Sequence, residues 1–238
     1  MQNWLPLMAA AAGVLAAIGV WSYVGRRRMA LRAEELAQAL DQRTTELESA
    51  RMELQRLSTK DPLTAVANHE QFLETLDREW RRARRERLPL SVIFVDLDHF
   101  QAYNREFGHA EGDRVLRSAG NALASTVSRA GDLVARYHRD EFAMVLASTD
   151  SAGAARVSEL VRKCIQELQE PAAKDAPANV VTASVAVATV LPEQETPWEE
   201  LDLIKAVSQA LREARATGGN RVLRANLGMA GPPELVTR

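Results

Sequence analysis

Two pairs of carboxylates occur where predicted strands end. An apolar strand leads into Asp96 and Asp98, and the polar turn of a predicted hairpin further along the chain leads into Asp140 and Glu141. Either pair alone is typical of a solvated acidic turn. Hard divalent cations prefer oxygen ligands, however, and two strands that each end in acid can lie side by side and share metal ions. The spacing therefore favours a metal site.

Three segments around these carboxylates follow one order and spacing. They read DPLTAVAN from Asp61, DLDHFQAYNREFGHAEGD from Asp96 and RAGDLVARYHRDEF from Arg129. They resemble the DxLTGLxN, DxDxFKxxNDxxGHxxGD and RxxDxxARxGGDEF motifs of the GGDEF family, the diguanylate cyclases that condense two GTP into cyclic di-GMP. The resemblance extends over residues 61–223. It implies an α+β fold, the palm-like sandwich of nucleotidyl cyclases.

The resemblance also implies roles for single residues. Asp96 and Asp140 match the carboxylate ligands of Mg²⁺ or Mn²⁺, which the backbone carbonyl of Leu97 would assist. Glu141 matches a residue that the family needs for catalysis, together with the two aspartates. The residues implied to contact GTP are Asn104 and Asp113 at the guanine base, where an amide and a carboxylate can pair with its edge, and Arg136 and Arg215.

A second binding site is implied ahead of the family's signature turn, which is residues 138–142 (HRDEF) in this chain. Arg129 and Asp132 match the RxxD motif, which in the family binds cyclic di-GMP and inhibits the enzyme. Arginine suits this task because its planar fork can grip both phosphate and guanine edges. Another arginine must join, and Arg156 and Arg162 both remain open. A surface ion pair is the simpler interpretation of Arg129 and Asp132.

The signature turn itself departs from the family pattern. His138 and Arg139 replace two glycines, which would permit positive φ and leave room for the nucleotide. Gln101 replaces a lysine, and Gly219 replaces the second cation of the family's late KxxGRN motif. Losing two charge-assisted phosphate contacts, worth about 1.5–3 kcal/mol each, would weaken binding by about two to four orders of magnitude. Arg139 could replace one of them.

These departures leave three functions open. The first is a GGDEF protein with a weak or inactive cyclase site, which dimerises or reports cyclic di-GMP through the RxxD site. The second is an active diguanylate cyclase that uses Mg²⁺ or Mn²⁺. The third is a dimeric scaffold that docks another signalling protein.

The N-terminal region predicts a membrane anchor over residues 1–28. The stretch from Trp4 to Val24 carries no charge over 21 residues, enough to cross a hydrocarbon core of about 30 Å. Arg26 to Arg28 follow directly, which by the positive-inside rule predicts a single-pass protein of the inner membrane with the rest of the chain in the cytoplasm. A cleaved signal peptide, the alternative, would carry its positive charges before the apolar run.

Residues 29–60 predict a coiled-coil signalling helix and hence a homodimer. The segment lacks glycine and proline, and a seven-residue repeat runs through it. Its a and d positions are Ala33, Leu36, Leu40, Arg43, Leu47, Ala50, Leu54 and Leu57. A lone amphipathic linker helix is the alternative.

Composition sets the remaining bounds. The chain has 238 residues, 46% hydrophobic and 26% charged, with a net charge of −2 and one cysteine. These values exclude a disulfide framework and give no bias toward nucleic acid. We expect a GGDEF domain over 61–224 and a flexible tail over 225–238. The predicted helices are 70–87, 111–127, 151–170 and 198–216, and the predicted strands 91–95, 132–137, 141–147, 180–190 and 220–224.

Overall fold

The computed structural model describes residues 21, 29, 38, 40–46, 58–127, 129–192, 198–225 and 234–236. The chain divides into two compact units at Leu57 and Ser58. In the first unit, residues 40–46 are helical, as the heptad repeat predicts. Residues 58–60 of the predicted coiled coil belong to the second unit. The rest of it, apart from residues 29 and 38, and all of the predicted membrane segment except Trp21 lie outside the described residues. Of the helices that the structure does describe, none is both long and apolar enough to span a bilayer.

The second unit alternates helices and strands. The helices are α1 (His69–Glu86), α2 (Phe100–Phe107), α3 (His109–Ser125), α4 (Ser151–Gln166) and α5 (Glu200–Ala216). The strands are β1 (Leu90–Leu97), β2 (Leu133–His138), β3 (Glu141–Ala147), β4 (Ala183–Val190), β5 (Val222–Arg224) and β6 (Glu234–Leu235). Side chains fix several helix starts: the Asn68 carboxamide accepts the Gln71 N–H, and the Asp150 carboxylate accepts the Gly153 N–H.

The described strands form one six-stranded sheet in the order β2-β3-β1-β4-β5-β6. Among these described strands, only β4 and β5 pair in parallel, and an isolated parallel bridge joins Ala67 to Ala135. The central strand β1 pairs with β3 on one side and with β4 on the other, and all eight of its residues are buried. Because helices cover both faces of the sheet, residues 92–95 of this strand are four consecutive apolar residues rather than an alternation of apolar and polar ones.

Side chains alternate between two cores. Ile93, Val95 and Leu97 point into a core shared with α2, α3 and α4. Val92 and Phe94 point into a second core, shared with α1 and α5. The sandwich of helices around a mostly antiparallel sheet agrees with the predicted α+β fold, and β1 and the β2–β3 hairpin carry their acidic ends to the same edge.

Three segments differ from the sequence prediction. Helix α2 was not predicted, because its eight residues are short and its N-cap, His99, makes no side-chain capping hydrogen bond. The predicted helix 29–60 does not reach its end, since Lys60 instead forms a β-bridge with Ala67. Within the tail predicted to be flexible, Glu234–Leu235 forms an edge strand against β5.

Candidate active site and nucleotide pockets

The end of β1 and the hairpin turn place the predicted catalytic residues together. Asp96 and Glu141 are direct cross-strand partners in the antiparallel β1–β3 ladder. The next residue, Leu97, donates its N–H to the carbonyl oxygen of Asp140 at 3.4 Å. The register alone therefore brings the three carboxylates and the Leu97 backbone to one edge of the sheet.

Asp96 is the most buried of these carboxylates, with 2% of its surface exposed. Its Oδ2 accepts a hydrogen bond from Arg215 Nη1 at 2.8 Å, whereas its Oδ1 is buried without a partner. Burial raises the pKa of Asp96 to about 7, and the neighbouring carboxylates act in the same direction against Arg215. The site thus holds more negative charge than its one bonded cation balances.

Glu141 lies in a similar environment. Burial raises the pKa of Glu141, and the charge of Asp140 adds to this, whereas Arg215, His138 and Arg212 oppose it. Arg212 and Arg215 both come from the last turns of α5. Sequence reasoning gave Arg212 no role, because its position relative to Glu141 depends on how α5 packs against the hairpin.

The donor set fits a hard divalent cation. No three Asp, Glu, His or Cys side chains in the described part of the chain converge as a ready-made metal site. Mg²⁺, however, is often held by one or two carboxylates, with water and substrate phosphates completing its shell. The unpartnered Oδ1 of Asp96, the Asp140 carboxylate and the Leu97 carbonyl would hold it here. Such an ion would neutralise phosphate charge and activate a hydroxyl.

Two glycines of the family are replaced in the signature turn. Only one of these two positions adopts the left-handed backbone that glycine permits. Arg139 has φ +37°, in the left-handed region, whereas His138 remains in extended β2. Arg136 holds the turn, since its Nε donates to the Arg139 carbonyl oxygen at 2.8 Å. The guanidinium of Arg136 also pairs with Asp61 at 3.2 Å. These contacts give Arg136 a structural task, and its contact with GTP stays a prediction.

Asp98 does not share the environment of Asp96. Its carboxylate accepts hydrogen bonds from the hydroxyls of Thr182 and Ser184, both at 2.7 Å, and from the Asn220 N–H at 2.8 Å. A Cβ on Gly219 would lie 2.9 Å from the Asp98 carboxyl carbon. Asp98 therefore ties the loop after α5 to the sheet, and this loop has no room for a side chain at Gly219 unless Asp98 moves.

A cavity of about 460 Å³ opens between this loop, the start of α2 and the hairpin turn. Asp140 and Arg215 line it, together with the backbone that leads from β1 into α2. Gln101 and Arg105 line it from α2. Sequence reasoning gave Arg105 no role, although it lies one helical turn after Gln101.

The two predicted guanine-binding residues lie on α2 and α3. The Asn104 Oδ1 is buried without a hydrogen-bond partner. A Cβ on Gly112, the residue before Asp113, would lie 1.8 Å from this oxygen, so a side chain there would force the Asn104 carboxamide to move. An unpaired amide oxygen of this kind is costly unless a ligand satisfies it.

A separate cavity of about 500 Å³ lies between β3 and the start of α4. Arg129, Asp132 and Arg156 all line it. The Asp132 carboxylate is fixed by the Ala147 N–H at 3.1 Å, and burial raises its pKa. Arg162, the other candidate arginine, is instead bonded to Glu159, Gln166 and Asn220. The geometry thus favours Arg156 over Arg162 as the third member.

Comparisons with known proteins agree with this architecture. The family described as diguanylate cyclase, GGDEF domain, matches residues 58–221. The chain is 31% identical to the cyclic di-GMP phosphodiesterase NbdA of Pseudomonas aeruginosa over 92% of its own length and 27% of that protein. It is 34% identical to the response regulator PleD of Caulobacter vibrioides over 70% of its length and 36% of that protein.

Among solved structures, the coiled coil and GGDEF domain of DgcB from Caulobacter crescentus, in complex with c-di-GMP, is similar with a TM-score of 0.63 and 25% identity. That match covers 80% of this chain and 99% of the DgcB chain. The chain spans well under two thirds of both curated relatives, which therefore contain segments that it does not match. The match to most of the chain, with the carboxylates of β1 and the hairpin meeting at one edge, shows that the protein belongs to the GGDEF family.

Proposed function

We propose that this protein is a membrane-anchored GGDEF protein that binds cyclic di-GMP at its RxxD cavity and has a weak or inactive diguanylate cyclase site. The observation that carries the proposal is the meeting of Arg129, Asp132 and Arg156 around one cavity. Two guanidinium groups and a carboxylate match the two phosphates and the guanine edges of that ligand in charge and hydrogen-bonding type.

The two cavity arginines are available to a ligand. Among the described residues, neither Arg129 nor Arg156 forms a salt bridge, although most arginines of α1 and α4 do. Asp132 is held in place by a backbone N–H, so the acceptor for a guanine edge needs no reorganisation. A preformed site of this kind lowers the entropy cost of binding.

Two features support a weakened cyclase site. Arg139 carries a long side chain in the turn where the family has glycine, and Arg215 is bonded to the same Asp96 carboxylate that would hold the metal ion. A metal ion could still bind the unpartnered Oδ1 of Asp96, whereas a triphosphate would meet an Arg215 whose charge is already shared with Asp96. Membrane anchoring and dimerisation enter the proposal from the sequence, through Trp4 to Val24 and the heptad repeat.

Calorimetry on the purified full chain tests the receptor function. We expect cyclic di-GMP to bind with a Kd in the micromolar range, about −8 kcal/mol. Arg129→Ala and Arg156→Ala should each weaken binding by at least about tenfold, because each removes a charged hydrogen-bond donor. Arg162→Ala is the matched control on α4 and should leave the affinity unchanged.

Two outcomes would count against the receptor. Absence of heat at ligand concentrations about a hundred times the micromolar range would leave Arg129 and Asp132 without a ligand-binding role and favour a scaffold. Equal losses in Arg156→Ala and Arg162→Ala would show that the effect is general electrostatics and not the cavity.

An active cyclase is the second candidate function. It is favoured by the convergence of Asp96, Asp140 and Glu141 and by the unpartnered oxygens of Asp96 and Asn104. Turnover of GTP with Mn²⁺ at about 1 s⁻¹, within the range of ordinary enzymes, would establish this function over the first.

A further inference from the structure

On α2, the positively charged residue lies at a different position from the one in the family pattern. The family pattern FKxxND has a lysine at the position of Gln101 and an acid at the position of Arg105, whereas this chain has no charge at the first position and the opposite charge at the second. The two positions are four residues apart, so they lie on the same face of the helix. Compared with the family pattern, the positive charge on this face therefore lies one helical turn later.

Both positions face the same cavity. Gln101 and Arg105 line the cavity of about 460 Å³ together with Arg215 and Asp140. The Arg105 side chain on α2 can therefore contact an anion that binds in this cavity.

The two arginines of this cavity are not equivalent. Arg215 is bonded to Asp96 at 2.8 Å, so its charge is already committed. Arg105 forms no salt bridge with any described residue. Of the acids that line the cavity, Asp98 is occupied by Thr182, Ser184 and Asn220 and does not compete for Arg105.

From this we infer that Arg105 binds the phosphate chain of a guanine nucleotide in this cavity, in place of the cation that Gln101 does not supply. The inference goes beyond the receptor function and rests only on the catalytic-type cavity accepting a nucleotide. The Arg105 guanidinium can hold two phosphate oxygens at once, which a lysine ammonium does less well.

A structural role for Arg105 is the competing explanation. It lies in the last turn of α2, where a cation stabilises the helix dipole. The two roles differ in what they require: helix stabilisation needs the charge at this turn, whereas phosphate binding needs a charge that faces the cavity.

GTP binding to the purified full chain, with excess Mg²⁺, separates them. Arg105→Gln should weaken GTP binding by about tenfold, the effect of removing one charge-assisted hydrogen bond. Arg117→Gln removes an equal charge from the exposed face of α3, away from the cavity, and should leave the affinity unchanged. Gln101→Lys added to Arg105→Gln returns the cation to the family position and should restore the affinity without restoring the melting temperature.

The inference fails if Arg105→Gln binds GTP as Arg117→Gln does, or if the double variant recovers stability but not affinity. It also fails if the unmodified chain does not bind GTP. None of these outcomes bears on the proposed binding of cyclic di-GMP at the RxxD cavity, because that binding is measured with a different ligand and different variants.

Discussion

At the scale of single residues, the protein carries one carboxylate that its fold does not need. Asp96 is buried, has one oxygen without a partner, and has a pKa raised to about 7 by burial. An acid whose pKa is raised in the folded state ionises more easily in the unfolded chain. It therefore lowers stability increasingly as the pH rises from about 4 to about 7. A fold keeps such a group when a cation or substrate uses it.

Asp96→Asn should accordingly raise the melting temperature at pH 8 in EDTA. A pKa near 7 in place of 3.8 corresponds to at most about 4 kcal/mol. This figure already includes the opposing attraction of the half-exposed Arg215. Each kcal/mol shifts the melting temperature by about 2–4 °C at this size. Below about pH 4 the difference should vanish, because both states are then protonated.

Thermal scans across this pH range check the prediction. Asp175→Asn, at an exposed loop position, is the control and should leave the melting temperature unchanged at every pH. Adding Mg²⁺ should stabilise the unmodified chain more than Asp96→Asn, since only the former keeps the carboxylate ligand. A lower melting temperature for Asp96→Asn at pH 8 would contradict this account.

At the scale of elements, the β2–β3 hairpin shows what local sequence can predict. Its second strand runs over Glu141–Ala147, as the pattern predicts, because a short apolar run after a polar turn is a local signal. The roles of Asp98 and Arg105 could not be predicted in this way. Asp98 depends on partners more than 80 positions later in the chain. Arg105 depends on α2, an element too short to give a periodic pattern.

The hairpin turn should respond differently at its two replaced glycines. Arg139→Gly should stabilise the protein by about 1 kcal/mol, because Arg139 occupies left-handed backbone at φ +37°. His138→Gly should not stabilise it, because His138 is extended. Thermal unfolding measures both, and equal effects would show that backbone strain is not the cause.

The same turn tests the cyclase site. With GTP and Mn²⁺ we expect only trace product from the unmodified chain and more from the combined change His138→Gly and Arg139→Gly. Asp140→Ala on that background should abolish it, since the carboxylate ligand is removed. Product that persists without Asp140 would mean that the metal ligands are elsewhere.

At the scale of the whole molecule, the question is whether two copies meet. The described residues 40–46 are helical, and Leu40 is 68% exposed in the single chain. In the heptad register Leu40 and Leu47 occupy a positions, which face the partner helix in a parallel coiled coil. The reaction of the family needs two domains facing each other, and a coiled coil ahead of residue 58 would supply the second.

Leu40→Asp combined with Leu47→Asp should convert the dimer to a monomer, because two unpaired charges at the seam are costly to bury. Gln42→Asp combined with Ser49→Asp is the matched control. It adds the same charge at c positions, which face solvent in the same register, and should leave the dimer intact. Light scattering on the full chain measures the mass. An unmodified chain of monomeric mass, or an a-position variant that stays dimeric, would leave residues 29–57 as a linker helix with no role in pairing.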